Sequence, residues 1–162
     1  MDRLSLLVKA RETAEYFVDK KFKYSQGVAN SWAGAKKKKV SNCASYVCYC
    51  LQQLGILKPG QLFYCNRNGT VVYKGTGTKA AISKRYRLIK VNKLPWDYKN
   101  KLKPGDICFY RLHTNIFAFT FHNVSINSSR RTDKRVLRDT HLHSIMYLLI
   151  RAIGSKLETD GK

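Results

Sequence analysis

Between Ser41 and Gly55 the chain carries its strongest structural instruction. Ser41 and Asn42 are favoured helix caps, and Ala44, Val47, Cys48, Leu51 and Leu54 follow at three- and four-residue steps. Gly55 then offers the left-handed conformation that ends a helix. The spacing predicts a short buried helix. Cys43 falls in its first turn, where unpaired backbone N–H groups and the helix dipole favour negative charge and lower a thiol pKa.

The remaining elements are expected to pack around that helix. Leu4, Leu7, Ala10, Ala14 and Phe17 predict an amphipathic helix from Asp2 to about Lys20, with Asp2 as its cap. Lys21 to Val40, with Gly27, Gly34 and the run Lys36 to Lys39, reads as an irregular basic connection. Short apolar stretches at Leu62 to Tyr64, Val71 to Tyr73 and Arg87 to Val91 suggest strands. After the turn signature Lys103-Pro104-Gly105-Asp106 come Ile107 to Arg111, Thr114 to Phe121, Val124 to Ser128 and Ser144 to Ile153. The expected class is α+β, with N-terminal helices on a small antiparallel sheet. A length of 162 residues fits a single domain over 1–162, and no repeat or linker divides it.

Thirty-one Lys and Arg against ten Asp and Glu leave a formal charge of +21, so an anionic partner is implied. Nucleic acid, anionic lipid and a polyanionic cell wall all satisfy that requirement, and scattered lysines also serve solubility. The start at Met1, Asp2 and Arg3 lacks the continuous apolar stretch of a secretory signal, and no run reaches membrane-spanning length. The expectation is a protein without membrane insertion, leaving the cytoplasm by lysis, by a partner or in a particle. Cys43, Cys48, Cys50, Cys65 and Cys108 are odd in number, so at least one thiol stays free. Their C-x-x-x-x-C-x-C cluster, with no second pair and no nearby His, does not suit structural zinc. Neither metal nor cofactor is expected.

Nucleophilic catalysis by cysteine needs a thiolate, an imidazole to hold it ionised, and a polar group to orient that imidazole. Cys43 meets the first requirement by position. Among His113, His122, His141 and His143, the first sits where one strand gives way to the next, and strands hold an imidazole more rigidly than loops do. If the strand after His113 folds back, Ser125 and Asn127 have the parity to face it. An amide fixes an imidazole tautomer better than a rotating hydroxyl, which favours Asn127; a turn role is its alternative.

Three blocks then bear on family. Asn42-Cys43-Ala44-Ser45-Tyr46-Val47 opens the helix, Leu102-Lys103-Pro104-Gly105-Asp106-Ile107-Cys108-Phe109-Tyr110 leads into a strand, and His113-Thr114-Asn115-Ile116-Phe117-Ala118 forms the next. In this order they resemble the D-C-S-G-F-V, L-x-P-G-D and H-V-x-I-Y blocks of the NlpC/P60 cysteine peptidases. The resemblance spans about Phe22 to Ile126 and includes Lys23-Tyr24, similar to the family's tyrosine ahead of the cysteine. It implies a papain-like fold and hydrolysis of peptide stems in bacterial peptidoglycan. It also implies Cys43 as nucleophile, His113 as base, and Tyr24 near the oxyanion or substrate; for Tyr24 a core aromatic is the equal alternative. Asn42 stands where the family has aspartate, Ala44-Ser45 where it has Ser-Gly, and Ser25-Gln26 where it has Gly-Gly. These departures bear on the substrate pocket, in which Asn42 is a further candidate.

Cys48, Cys50, Cys65 and Cys108 read as small apolar core residues, and His141 and His143 as surface residues. Two rivals accompany the peptidoglycan reading. A thiol amidase or acyltransferase would use the same pair of residues. A nucleic-acid-binding module would use Lys36 to Lys39 and Arg130 to Arg138, although no zinc-finger, helix-turn-helix or RNP pattern is present.

Overall fold

The computed structural model describes residues 3–67, 70–88, 105–110, 113–119 and 124–126. Its first helix, α1 (Arg3–Asp19), buries Leu6, Leu7, Ala10, Thr13, Ala14 and Phe17 along one face. Leu6 rather than Leu4 begins that face. The sequence has no glycine to stop the helix, so packing does the work. Lys21 takes a left-handed φ of 58°, Lys21 N–H donates to Val18 O, and Phe22 N–H donates to Phe17 O. Phe22 then stacks on Phe17 with ring centroids 4.2 Å apart, completing a Schellman-type end with its apolar contact.

The segment expected to be irregular is ordered. β1 (Lys23–Tyr24) pairs in parallel with β2 (Val40–Ser41), and α2 (Trp32–Lys38) lies between them. Ser31 caps α2 by accepting from Gly34 N–H, and Lys39 ends it at φ 56°. Gly34 disguised this helix in the sequence. It serves close packing, since a Cβ there would lie 2.9 Å from the Ala29 Cβ.

At the centre is α3 (Cys43–Gln53), whose residues 43–51 are all buried. It packs against α1, α2 and the strands β3 (Leu62–Cys65) and β6 (His113–Phe119). Tyr46 Oη donates to Ala10 O at 2.6 Å, and Gln53 Nε2 to Thr13 Oγ1 at 2.8 Å, tying α3 to α1. Tyr49 Oη donates to Ala29 O at 2.6 Å, holding the loop before α2. Buried aromatic and aliphatic side chains of this kind each contribute about 1.5–3 kcal/mol. Gly55 ends α3 at φ 74°, with Gly55 N–H on Gln52 O and Ile56 N–H on Leu51 O.

β3 pairs antiparallel with β4 (Val71–Lys74), two of the stretches expected to be strands. A helix that was not anticipated, α4 (Thr78–Ser83), follows, and Arg87 and Leu88 lie outside any strand. The remainder of the strand expected there lies outside the described residues, as do residues 144–153. β5 (Ile107–Tyr110), β6 and β7 (Val124–Ile126) form an antiparallel sheet in that order. The architecture is therefore α+β, with α3 held between α1 and strands.

Gly75 closes β4 at φ 88°, where a Cβ would stand 2.4 Å from Gly60 O, whereas Gly55 faces open space. Gly55→Ala is expected to cost about 1 kcal/mol from backbone strain alone. Gly75→Ala adds a collision with backbone and is expected to cost about 2–4 kcal/mol. Denaturant titration of the two variants measures the difference.

Candidate active site

The start of α3 is built by reciprocal capping. Asn42 Oδ1 accepts from Ser45 N–H at 2.9 Å, and Ser45 Oγ accepts from Asn42 N–H at 2.8 Å. Ser41 and Ser45 hydroxyls meet at 2.8 Å in the buried layer beneath. This capping box fixes Cys43 as the first residue of the helix. It also consumes the N–H groups of Asn42 and Ser45, so neither is available to a substrate oxyanion.

Cys43 is 7% exposed, while Cys48 and Cys50 on the same helix are fully buried. All three are buried, so place at the helix start, not exposure, sets Cys43 apart. The Cys48 Sγ donates to Phe63 O at 3.4 Å and accepts from Phe63 N–H at 3.2 Å. Burial pushes its thiol well above the ordinary range. Burial likewise pushes Cys50 up to about 12. Cys65 is also buried and not in a disulfide. These three behave as the apolar core residues their positions suggested.

The parallel pairing of β1 with β2 places Tyr24 opposite Ser41, two residues ahead of Cys43. From there a side-chain chain runs back to the helix cap. Gln26 Nε2 donates to Tyr24 Oη at 3.4 Å, and Asn42 Nδ2 donates to Gln26 Oε1 at 3.2 Å. Tyr24, Gln26, Asn42 and Cys43 thus share one end of α3. Gln26 was missed in the sequence, where the signal was the substitution of Ser25-Gln26 for the family's paired glycines. Asn42 has both ends of its amide engaged, in the cap and in this bridge.

His113 opens β6 and pairs with Tyr110 across the β5–β6 hairpin. β6, like β3, packs on α3. In the β6–β7 pairing Ser125 stands opposite Phe117, with a register shift between Phe117 and Phe119. Ser125 thus keeps the parity of His113 but pairs four residues further along β6, at Phe117. Asn127 lies outside the described residues, as do His122, His141 and His143. Among the described residues, no group of three or more His, Cys, Asp or Glu is placed to hold a metal ion, and no helix is long and apolar enough to cross a membrane.

Comparison with known protein families, with curated proteins and with solved structures gives no match.

Two outcomes test this description of the site. Asn42→Ala removes the cap and is expected to cost about 1 kcal/mol, whereas Gln26→Ala, at an exposed position, is expected to stay within about 0.5 kcal/mol in chemical denaturation. The second concerns pH. A thiol raised by folding stays protonated in the native state while the unfolded chain ionises, so its stabilising contribution is complete below pH 9.0 and declines as pH rises toward about 12. Tyr49, raised from 10.0 to about 12 by burial, adds to the same decline. Unfolding free energies between pH 8 and 11 should fall, and Cys50→Ala should flatten the slope.

Proposed function

We propose that the chain is a cysteine hydrolase of bacterial cell-wall peptides, with the papain-like fold of the NlpC/P60 peptidases. The observation that carries this reading is the position of Cys43. It is the thiol in the first turn of a buried, capped helix, and that helix packs on the strand opened by His113. A helix start favours the thiolate, and an imidazole brought to it would hold the ion pair.

In the proposed reaction the Cys43 thiolate attacks the amide carbonyl, and His113 protonates the leaving amine. A thioester remains on the sulfur. Water, deprotonated by the same imidazole, attacks it, releasing the carboxylic acid and restoring the thiol. Asn127 is proposed to orient His113, with Tyr24 and Asn42 at the substrate. Tyr24 pairs with Ser41, two residues before the cysteine, which supports its share in the proposal. The excess of positive charge suits peptidoglycan with its anionic polymers as partner. A phage lysin or tail-associated enzyme, reaching the wall after lysis or in a particle, is the proposed setting.

Purified cell walls incubated with the wild type should release peptides identifiable by mass spectrometry. Cys43→Ala should abolish that release, and His113→Ala should lower it by at least about 10³-fold. Equal release by wild type and Cys43→Ala would reject the assignment.

A further inference from the structure

The chain contains no Asp or Glu between Asp19 and Asp97. Within that stretch, Lys20, Lys21, Lys23 and Lys36 to Lys39 are all exposed. Folding gathers them. The turn after α1 carries Lys20 and Lys21, and Lys23 N–H donates to Lys39 O at 2.9 Å through the parallel strand pair. The C-terminal ends of α1 and α2 therefore meet at one lysine-lined edge.

Some of these side chains are already engaged. Lys38 Nζ donates to Gly27 O at 3.0 Å, Lys36 Nζ lies 5.7 Å from the Trp32 ring centroid, and Lys20 stands 3.7 Å from Asp19. Among the described residues no acid pairs with Lys21, Lys23, Lys37 or Lys39. Elsewhere on α1, by contrast, Lys9 meets Glu12 at 2.8 Å and Arg11 meets Glu15 at 3.9 Å. Apart from the Lys20–Asp19 pair, the edge is thus positive without acidic partners among the described residues. It also leads to the thiol, since the four residues from Lys39 to Cys43 span at most about 14 Å.

We propose that this edge is a docking surface for a phosphate-polyester chain, seated on Lys21, Lys23, Lys37 and Lys39. The inference deepens the cell-wall reading and rests on it only for the source of the polymer, a wall polyester. Two features favour a flexible polyester over a nucleic acid. The stretch from Lys20 to Lys39 has no arginine, so it lacks the planar fork that reads phosphates and bases bidentately. Nor does it present a fully exposed ring for base stacking: Phe22 is buried, and Tyr24 and Trp32 are half-buried. What remains is a set of point charges on flexible stems, which suits repeated phosphates at adaptable spacing.

The test uses the full chain carrying Cys43→Ala, so that binding is read without turnover. It is titrated with purified poly(glycerol phosphate) and with an oligothymidylate of equal phosphate number, at several salt concentrations. The polyester is expected to bind more tightly than the oligonucleotide. Replacing Lys21, Lys23, Lys37 and Lys39 by Gln should weaken polyester binding at least about tenfold and flatten the log–log salt dependence by about 2–3. A control with the same loss of charge, Lys58, Lys79, Lys84 and Arg85 replaced by Gln, should weaken it less than about threefold. Equal losses in the two variants would overturn the proposal, because binding would then follow net charge. Tighter binding of the oligothymidylate would overturn it in favour of a nucleic-acid surface. Wall hydrolysis by the wild type is measured beside these titrations. Polymer binding without hydrolysis counts against the catalytic reading alone, and hydrolysis without polymer binding counts against the docking surface alone.

Discussion

The capping box at Asn42 and Ser45 is the constraint on which the arrangement of the site depends. An α-helix leaves its first N–H groups without internal partners, and a buried helix start must satisfy them. Here two of the groups are closed by side chains three residues apart, at 2.9 and 2.8 Å. Because the cap is side-chain chemistry at a defined residue, the helix cannot start one residue earlier or later without losing both bonds. Cys43 is fixed in the first turn for that reason.

The same helix shows how position separates identical side chains. Cys48 and Cys50 lie one turn or more inside, enclosed by Phe63, Tyr46 and the α1 face, and burial keeps them neutral. Cys43 lies at the end where the dipole favours an anion. An interior thiol of low exposure is a core residue; a thiol at a helix start is a candidate nucleophile. The distinction follows from geometry that a count of cysteines does not contain.

Much of the fold was legible because the decisive signals are local. The apolar steps from Ala44 to Leu54 with Gly55 after them define α3, and the short apolar runs at 62–64 and 71–73 mark two strands, which the structure pairs. What was not legible depends on contacts between distant residues. α2 was hidden because Gly34 resembles a helix breaker, whereas it is small to admit Ala29. α4 was hidden behind Gly75-Thr76-Gly77, which reads as a turn although Thr78 Oγ1 bonds back to Gly75 O at 2.9 Å and starts a helix. At the site, Cys43 was readable from its cap, and His113 from its place at a strand start. Gln26 was not, because its neighbours Tyr24 and Asn42 meet only through the β1–β2 pairing.

A chain with so little acid around its central helix still has to fold, and the structure separates the two demands. The core that holds α3 is made by Phe17, Phe22, Tyr46, Leu51 and Phe63, none of which carries charge. Lys20, Lys21, Lys23 and Lys36 to Lys39 are exposed at the ends of α1 and α2, where long stems keep their ammonium groups in water and repulsion is screened beyond about 10 Å in ordinary salt. Two of the helix ends also present carbonyls, whose partial negative charge offsets some of the crowding. The remaining repulsion grows as salt falls, and a bound polyanion would relieve it. Charge that costs the free protein some stability would gain its compensation from the proposed anionic partner, while the fold is left to the apolar core.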